Sequence, residues 1–143
     1  MAAVTPPGSS KGGLPKPVVN AMLVCDEAER ESKTGKITVK GIFETILAKG
    51  FPAKHPFLCV YVKLIDAHGT YPIRFSVLHL ETGRLIGTGE SEMIAADRMH
   101  PIELMFNLRN FIFPNPGTYE FQIHADGRYI GSKTVNLVLS GSR

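Results

Sequence analysis

Seven thiol and imidazole side chains in this sequence are candidates for metal ligation or nucleophilic catalysis: Cys25, Cys59, His55, His68, His79, His100 and His124. Their spacing seeds no metal site. There is no Cys-x-x-Cys, His-x-His or His-Glu-x-x-His, the close pairs from which zinc sites grow. His55 and His100 each precede a proline, which suits a loop or strand start. His79 and His124 fall on strand patterns and are expected at edge or solvent positions. Cys59 lies inside the most apolar run of the chain, where burial raises a thiol pKa. Cys25 is followed by Asp26, whose carboxylate also disfavours a thiolate. Both cysteines therefore read as inert, reduced, buried thiols. A bridge between adjacent strands stays open as the other reading.

Carboxylates are the next candidates. Asp26, Glu27, Glu29 and Glu31 form a dense patch, and Glu90 and Glu92 share a strand face. Acid–base catalysis needs two carboxylates with separated pKa values in a cleft, and acids beside a turn seldom supply that. The patch also lacks the Asp/Asn alternation and glycine of a calcium loop. The stretch from Gly83 to Gly89 is only loosely a phosphate loop, because no helix follows it. Its glycines read as points where a strand bends. No Gly-x-Ser-x-Gly is present. These readings assign no catalytic residue, metal or cofactor, and they give the expectation that the chain is not an enzyme.

Net charge is +3 but uneven. Residues 32–65 hold six lysines, Lys33, Lys36, Lys40, Lys49, Lys54 and Lys63, against Glu44 alone. They are a candidate basic face for nucleic acid. They are spaced out, with Tyr61 the one aromatic among them that reads as exposed, so solvated strand faces are the plainer reading. Phe111, Ile112 and Phe113 place apolar groups on both faces just before a double-proline loop. If one face is exposed, it is a surface for a partner or for self-association.

The elements that must carry these residues are strands. Val18 to Cys25, Ile37 to Leu47, Phe57 to Asp66, Tyr71 to Leu80 and Arg84 to Ala95 are apolar or alternating runs. So are the runs from Ile102, from Tyr119 and from Tyr129. The run at Phe57 is apolar on both faces, which places it mid-sheet. Asp126-Gly127 is a two-residue hairpin turn. The Arg84–Ala95 run, weakened by Gly87 and Gly89, is expected at a sheet edge open to strand addition. Residues 26–34 allow one helical turn. The expected fold is all-β: a single immunoglobulin-like sandwich of about eight mostly antiparallel strands.

Its bounds follow from composition. Residues 1–17 are rich in Pro, Gly, Ser and Lys and are expected to be a flexible arm, with the sandwich over 18–140. A chain of 143 residues with Gly 14 and Pro 10 suits one turn-rich domain. No run approaches the ~18 apolar residues of a membrane helix. The start lacks a secretory apolar stretch, so a cytoplasmic protein is expected.

A set of short motifs runs in order along residues 20–138. These are Met22-Leu23-Val24-Cys25-Asp26, Thr34-Gly35-Lys36, Gly41-Ile42-Phe43, Phe51-Pro52-Ala53 and His55-Pro56, then Phe113-Pro114 and Pro116-Gly117-Thr118-Tyr119-Glu120-Phe121. In order and spacing they resemble a family of small bacterial all-β proteins of unknown function. The resemblance implies a stand-alone bacterial cytoplasmic β-sandwich and carries no activity. The Tyr119 segment also resembles the tyrosine corner of immunoglobulin-like domains. The functional expectation is a non-enzymatic interaction or structural module whose partner is a protein or a second copy. The alternatives are a small-ligand binder, with a pocket between the sheets or at loops 50–56 and 110–117 near Tyr61, His55 and Phe113, or a weak nucleic-acid binder.

Overall fold

The computed structural model describes residues 13–141 and is all-β, with no helix among the described residues. Nine strands form: β1 (Val18–Arg30), β2 (Ile37–Ile42), β3 (Thr45–Ala48), β4 (Ala53–Ile65), β5 (Gly69–His79), β6 (Arg84–Ala95), β7 (Ile102–Phe113), β8 (Gly117–Ala125) and β9 (Arg128–Leu139). They make a four-stranded sheet, β2-β1-β4-β7, and a five-stranded sheet, β3-β9-β8-β5-β6. All pairings are antiparallel except β3 with β9.

Alternation explains the core between the sheets. Val24 of β1 and Leu58, Val60, Val62 and Leu64 of β4 face one way. Tyr71, Ile73, Phe75 and Val77 of β5 and Phe121 and Ile123 of β8 meet them. The Phe75 and Phe106 rings stack across the sheets, with centroids 4.8 Å apart. β4 lies between β1 and β7, as its two apolar faces require. Asp126 and Gly127 both have positive φ, 53° and 76°, the primed turn that a two-residue hairpin favours.

Nine strands stand among the described residues where about eight were expected. The expected Ile37–Leu47 strand divides into β2, in the four-stranded sheet, and β3, in the other. The chain crosses between sheets at Phe43 and Glu44: the Phe43 N–H donates to the Val24 carbonyl, and the Glu44 carbonyl accepts from the Asn136 N–H. The expected helical turn over 26–34 is likewise replaced, because β1 continues to Arg30.

β1 pairs with β4 only as far as Cys25, and from Glu27 onward it pairs with β2 alone. The ribbon turns at Gly41, whose φ of 68° suits glycine and over which the Asp26 carboxylate sits. Beyond the turn, Arg30 Nη1 lies 3.6 Å from Glu103 Oε1 of β7. Glu103 is two strands from β1, so the β1–β2 ribbon folds diagonally over the outer face of its own sheet. Glu103 also accepts a hydrogen bond from Tyr61.

The expected arm is partly tied down. Tyr71 donates to the Pro15 carbonyl at 2.6 Å, and Arg128 donates to the Leu14 carbonyl at 2.7 Å. Residues 1–12 lie outside the described residues.

Candidate functional site

A concavity lies at the seam where β6 and β7, each the last strand of its sheet among the described residues, approach one another. Its origin is legible in register. Tyr71, Ile73, Phe75 and Val77 of β5 point into the core, so their partners on β6, Met93, Ser91, Gly89 and Gly87, point inward too. Three of those four positions are Gly or Ser. The inner face of β6 therefore lacks the side chains that would cover Leu104, Phe106 and Leu108 of β7. What remains is a groove of about 480 Å³ floored by Phe75, Val77 and Phe106. That volume falls in the ~300–1,000 Å³ range of binding sites. Glu90, Thr88, Ser91 and Asn107 supply its polar rim. Gly89 has open space above it, and nothing lies within 4 Å of a Cβ placed there.

Phe111 closes one end. Asn110 adopts φ 51°, and Phe111 turns its ring onto Gly87, 3.1 Å from where a Cβ would sit. Phe111 and Phe113 pack edge to face at 4.9 Å. Of the three candidate surface residues, Phe113 is fully buried, Phe111 is half-buried in the groove and Ile112 is exposed. The structure therefore assigns Phe113 to the core. Phe113 in turn meets Tyr119 edge to face, and the Tyr119 hydroxyl donates to the Asn115 carbonyl at 2.6 Å and accepts from its N–H at 3.1 Å. A tyrosine at a strand start bonded to backbone four residues upstream is the geometry of a tyrosine corner.

A second hollow, about 340 Å³, lies at the 46–56 segment. His55 and Phe113 line it with Lys49 and Lys54, whereas Tyr61 lies on the outer face of β4, beneath the ribbon. Burial lowers the His55 pKa, partly opposed by Asp26. The six lysines do not share one face. Lys33 and Lys36 stand at the ribbon tip, Lys40 faces Glu27, Lys63 faces Glu103 beside Ala21, and Lys49 and Lys54 flank the second hollow.

The histidines are placed differently from expectation. His79 is buried, not at a solvent edge. Its Nε2 lies 2.9 Å from the Pro116 carbonyl and its Nδ1 2.9 Å from Thr82 Oγ1, so the ring ties two turns together. His124 is half-buried and its Nδ1 has no hydrogen-bond partner among the described residues. Burial, then the Arg74 charge opposite it, lowers its pKa. No three of His, Cys, Asp and Glu converge as metal ligands among the described residues.

These lowered histidines set a pH dependence. A pKa below the unfolded value of 6.5 makes protonation favour the unfolded chain. The contribution of His55 and His124 is present above pH 6.5 and is lost as pH falls through their lower folded values. Thermal midpoints should therefore drop between about pH 7.5 and 5.5. His124→Gln should flatten part of that drop, and parallel curves for variant and wild type would contradict the assignment.

With two packed sheets and an open seam between β6 and β7, the chain is a β-sandwich with a groove at one edge. It belongs to DUF6941, a family of unknown function, whose model matches residues 20–138. No curated protein matches it. Among solved structures it is similar to the Pseudomonas fluorescens alkylpurine DNA glycosylase AlkC bound to DNA containing an abasic site analog. The TM-score is 0.51 at 10% identity, over 86% of this chain and 30% of that one. At that identity the likeness shows fold alone. It does correct the expectation that the chain is not an enzyme: a solved chain containing this fold is a glycosylase, so the lack of a familiar motif is no ground for excluding catalysis.

Among the described residues no helix is long and apolar enough to cross a membrane.

Proposed function

We propose that this chain is a protein-interaction module that takes an extended segment of a partner into the β6–β7 seam. The observation that carries this reading is the meeting of two strand edges that pair with no other strand among the described residues, over an inner face that carries only glycine or serine at Gly87, Gly89 and Ser91. An inserted strand gains backbone hydrogen bonds from an open edge. Its alternate apolar side chains fill the space above Leu104, Phe106 and Leu108. A second copy of the chain, offering its own edge, is the self-association form of the same contact. The connection of β3 to β9, β5 to β8 and β4 to β7, with Tyr119 at its corner, supports an immunoglobulin-like arrangement extended by the β1–β2 ribbon.

The test is selection of binders from a random peptide library, followed by amide and methyl shift mapping on the labelled protein. The expected peptides carry apolar residues at every second position and shift the β6 amides and the methyls of Leu104 and Leu108. Selection of no peptide, or shifts confined to the hollow at His55, would reject the reading. Retention of nucleic acid that falls steeply with salt would favour a charge-driven interface instead.

A further inference from the structure

Cys25 and Cys59 are opposite one another in register on β1 and β4. Val24 and Val60, their neighbours in chain, face each other in the core, so the two thiols share the opposite, outer face of the sheet. Facing residues of an antiparallel pair have Cα atoms about 4.5–5.5 Å apart. Disulfides span Cα separations of about 4.4–6.8 Å. Cys25 Sγ already reaches the Cys59 carbonyl at 3.5 Å. Both residues are nevertheless fully buried, although they face away from the inter-sheet core. The ribbon accounts for this: Cys25 is the last β1 residue paired to β4, and the chain beyond it folds over this face to Arg30 and Glu103.

We propose that Cys25 and Cys59 are a dithiol modification site, converted to a cross-strand disulfide by a small-molecule disulfide when the β1–β2 ribbon lifts. The balance is a two-electron exchange. A thiolate formed at Cys25 attacks one sulfur of the oxidant, breaking its S–S bond and releasing one reduced thiol. The Cys59 thiolate then attacks the Cys25 sulfur of the mixed disulfide, forming the Cys25–Cys59 bond and releasing the second thiol. The two cysteine protons end on the two released thiols. Burial holds both thiols up, Cys59 to about 12, so the closed form resists the reaction and opening sets its rate. The latch is the Arg30–Glu103 pair, which is partly exposed and spans the ribbon and β7. A bond at this position joins β1 to β4 at the root of the ribbon, so oxidation stiffens the element that covers the outer face.

The experiment incubates the folded full chain with oxidised glutathione at pH 8, quenches with acid and reads intact and peptide masses. The expected product is a monomer lighter by two hydrogens, with Cys25 and Cys59 in one linked peptide and no glutathione retained. Cys25→Ser should abolish that product. Glu103→Gln, which removes the ion pair yet keeps an acceptor for Tyr61, should speed the reaction several-fold. Thiols that stay reduced in the folded chain while both react in guanidinium would overturn the proposal. So would stable glutathione adducts or disulfide-linked dimers. An unchanged rate in Glu103→Gln would overturn control by the ribbon.

Discussion

Phe113→Ala should cost about 3–5 kcal/mol of folding stability, whereas Ile112→Ala, one residue away, should change it by only about 0.5 kcal/mol. Phe113 is fully buried between Phe111 and Tyr119, and its loss opens a cavity beside two rings that cannot collapse into it. Ile112 leaves nearly half its surface in solvent, at 46% exposure. Urea denaturation of both variants reads the contrast directly. Similar midpoints would mean that the 110–113 segment is not packed as described. The comparison also separates the two halves of the apolar cluster: Phe113 presents no area to a partner, and Phe111 and Ile112 are left to do so.

Gly89→Val should weaken binding of a selected peptide by about 30-fold while leaving the protein as stable or slightly more so. Gly89 has an ordinary φ and open space around it, so a Cβ is accommodated without strain. A strand glycine costs roughly 0.5–1 kcal/mol relative to a residue with a side chain, which sets the expected gain. The valine projects toward Phe75 and Phe106 and occupies the space the peptide side chain needs. Exclusion of one anchoring side chain is worth about 2 kcal/mol, which is the 30-fold loss. Titration calorimetry with a thermal melt on the same sample checks both halves. Undiminished affinity in a stable variant would remove the groove from the interface. Gly87 is the poorer choice for this test, because Phe111 already lies against it.

Several parts of the site were visible in the linear order of residues. The alternation along β5 and β8, the doubly apolar β4 and the Asp126-Gly127 turn each follow from side chains a few residues apart. Strand period and turn chemistry are local properties, so they read correctly without a fold. The edge position of β6 was also legible, because glycines weaken a strand. The groove was not, although its signal was present. Gly87, Gly89 and Ser91 share one parity with Met93 and Ala95, but only a facing sheet makes small inward residues into a space.

The division has a common physical cause. Residue order alone determined that this chain is all-β, which run lies mid-sheet and where its tightest hairpin turns. Those features depend on steric and hydrogen-bonding preferences within one strand or turn. Tertiary structure alone decided that Ile37–Leu47 divides between two sheets, that His79 is buried, that Phe113 belongs to the core and that the lysines scatter. It also decided that the ribbon folds over β4 and that Cys25 faces Cys59 across 34 residues. Each of these depends on which distant strands pair and in what register. That choice is made by burying apolar faces of whole sheets against one another, and no local preference encodes it.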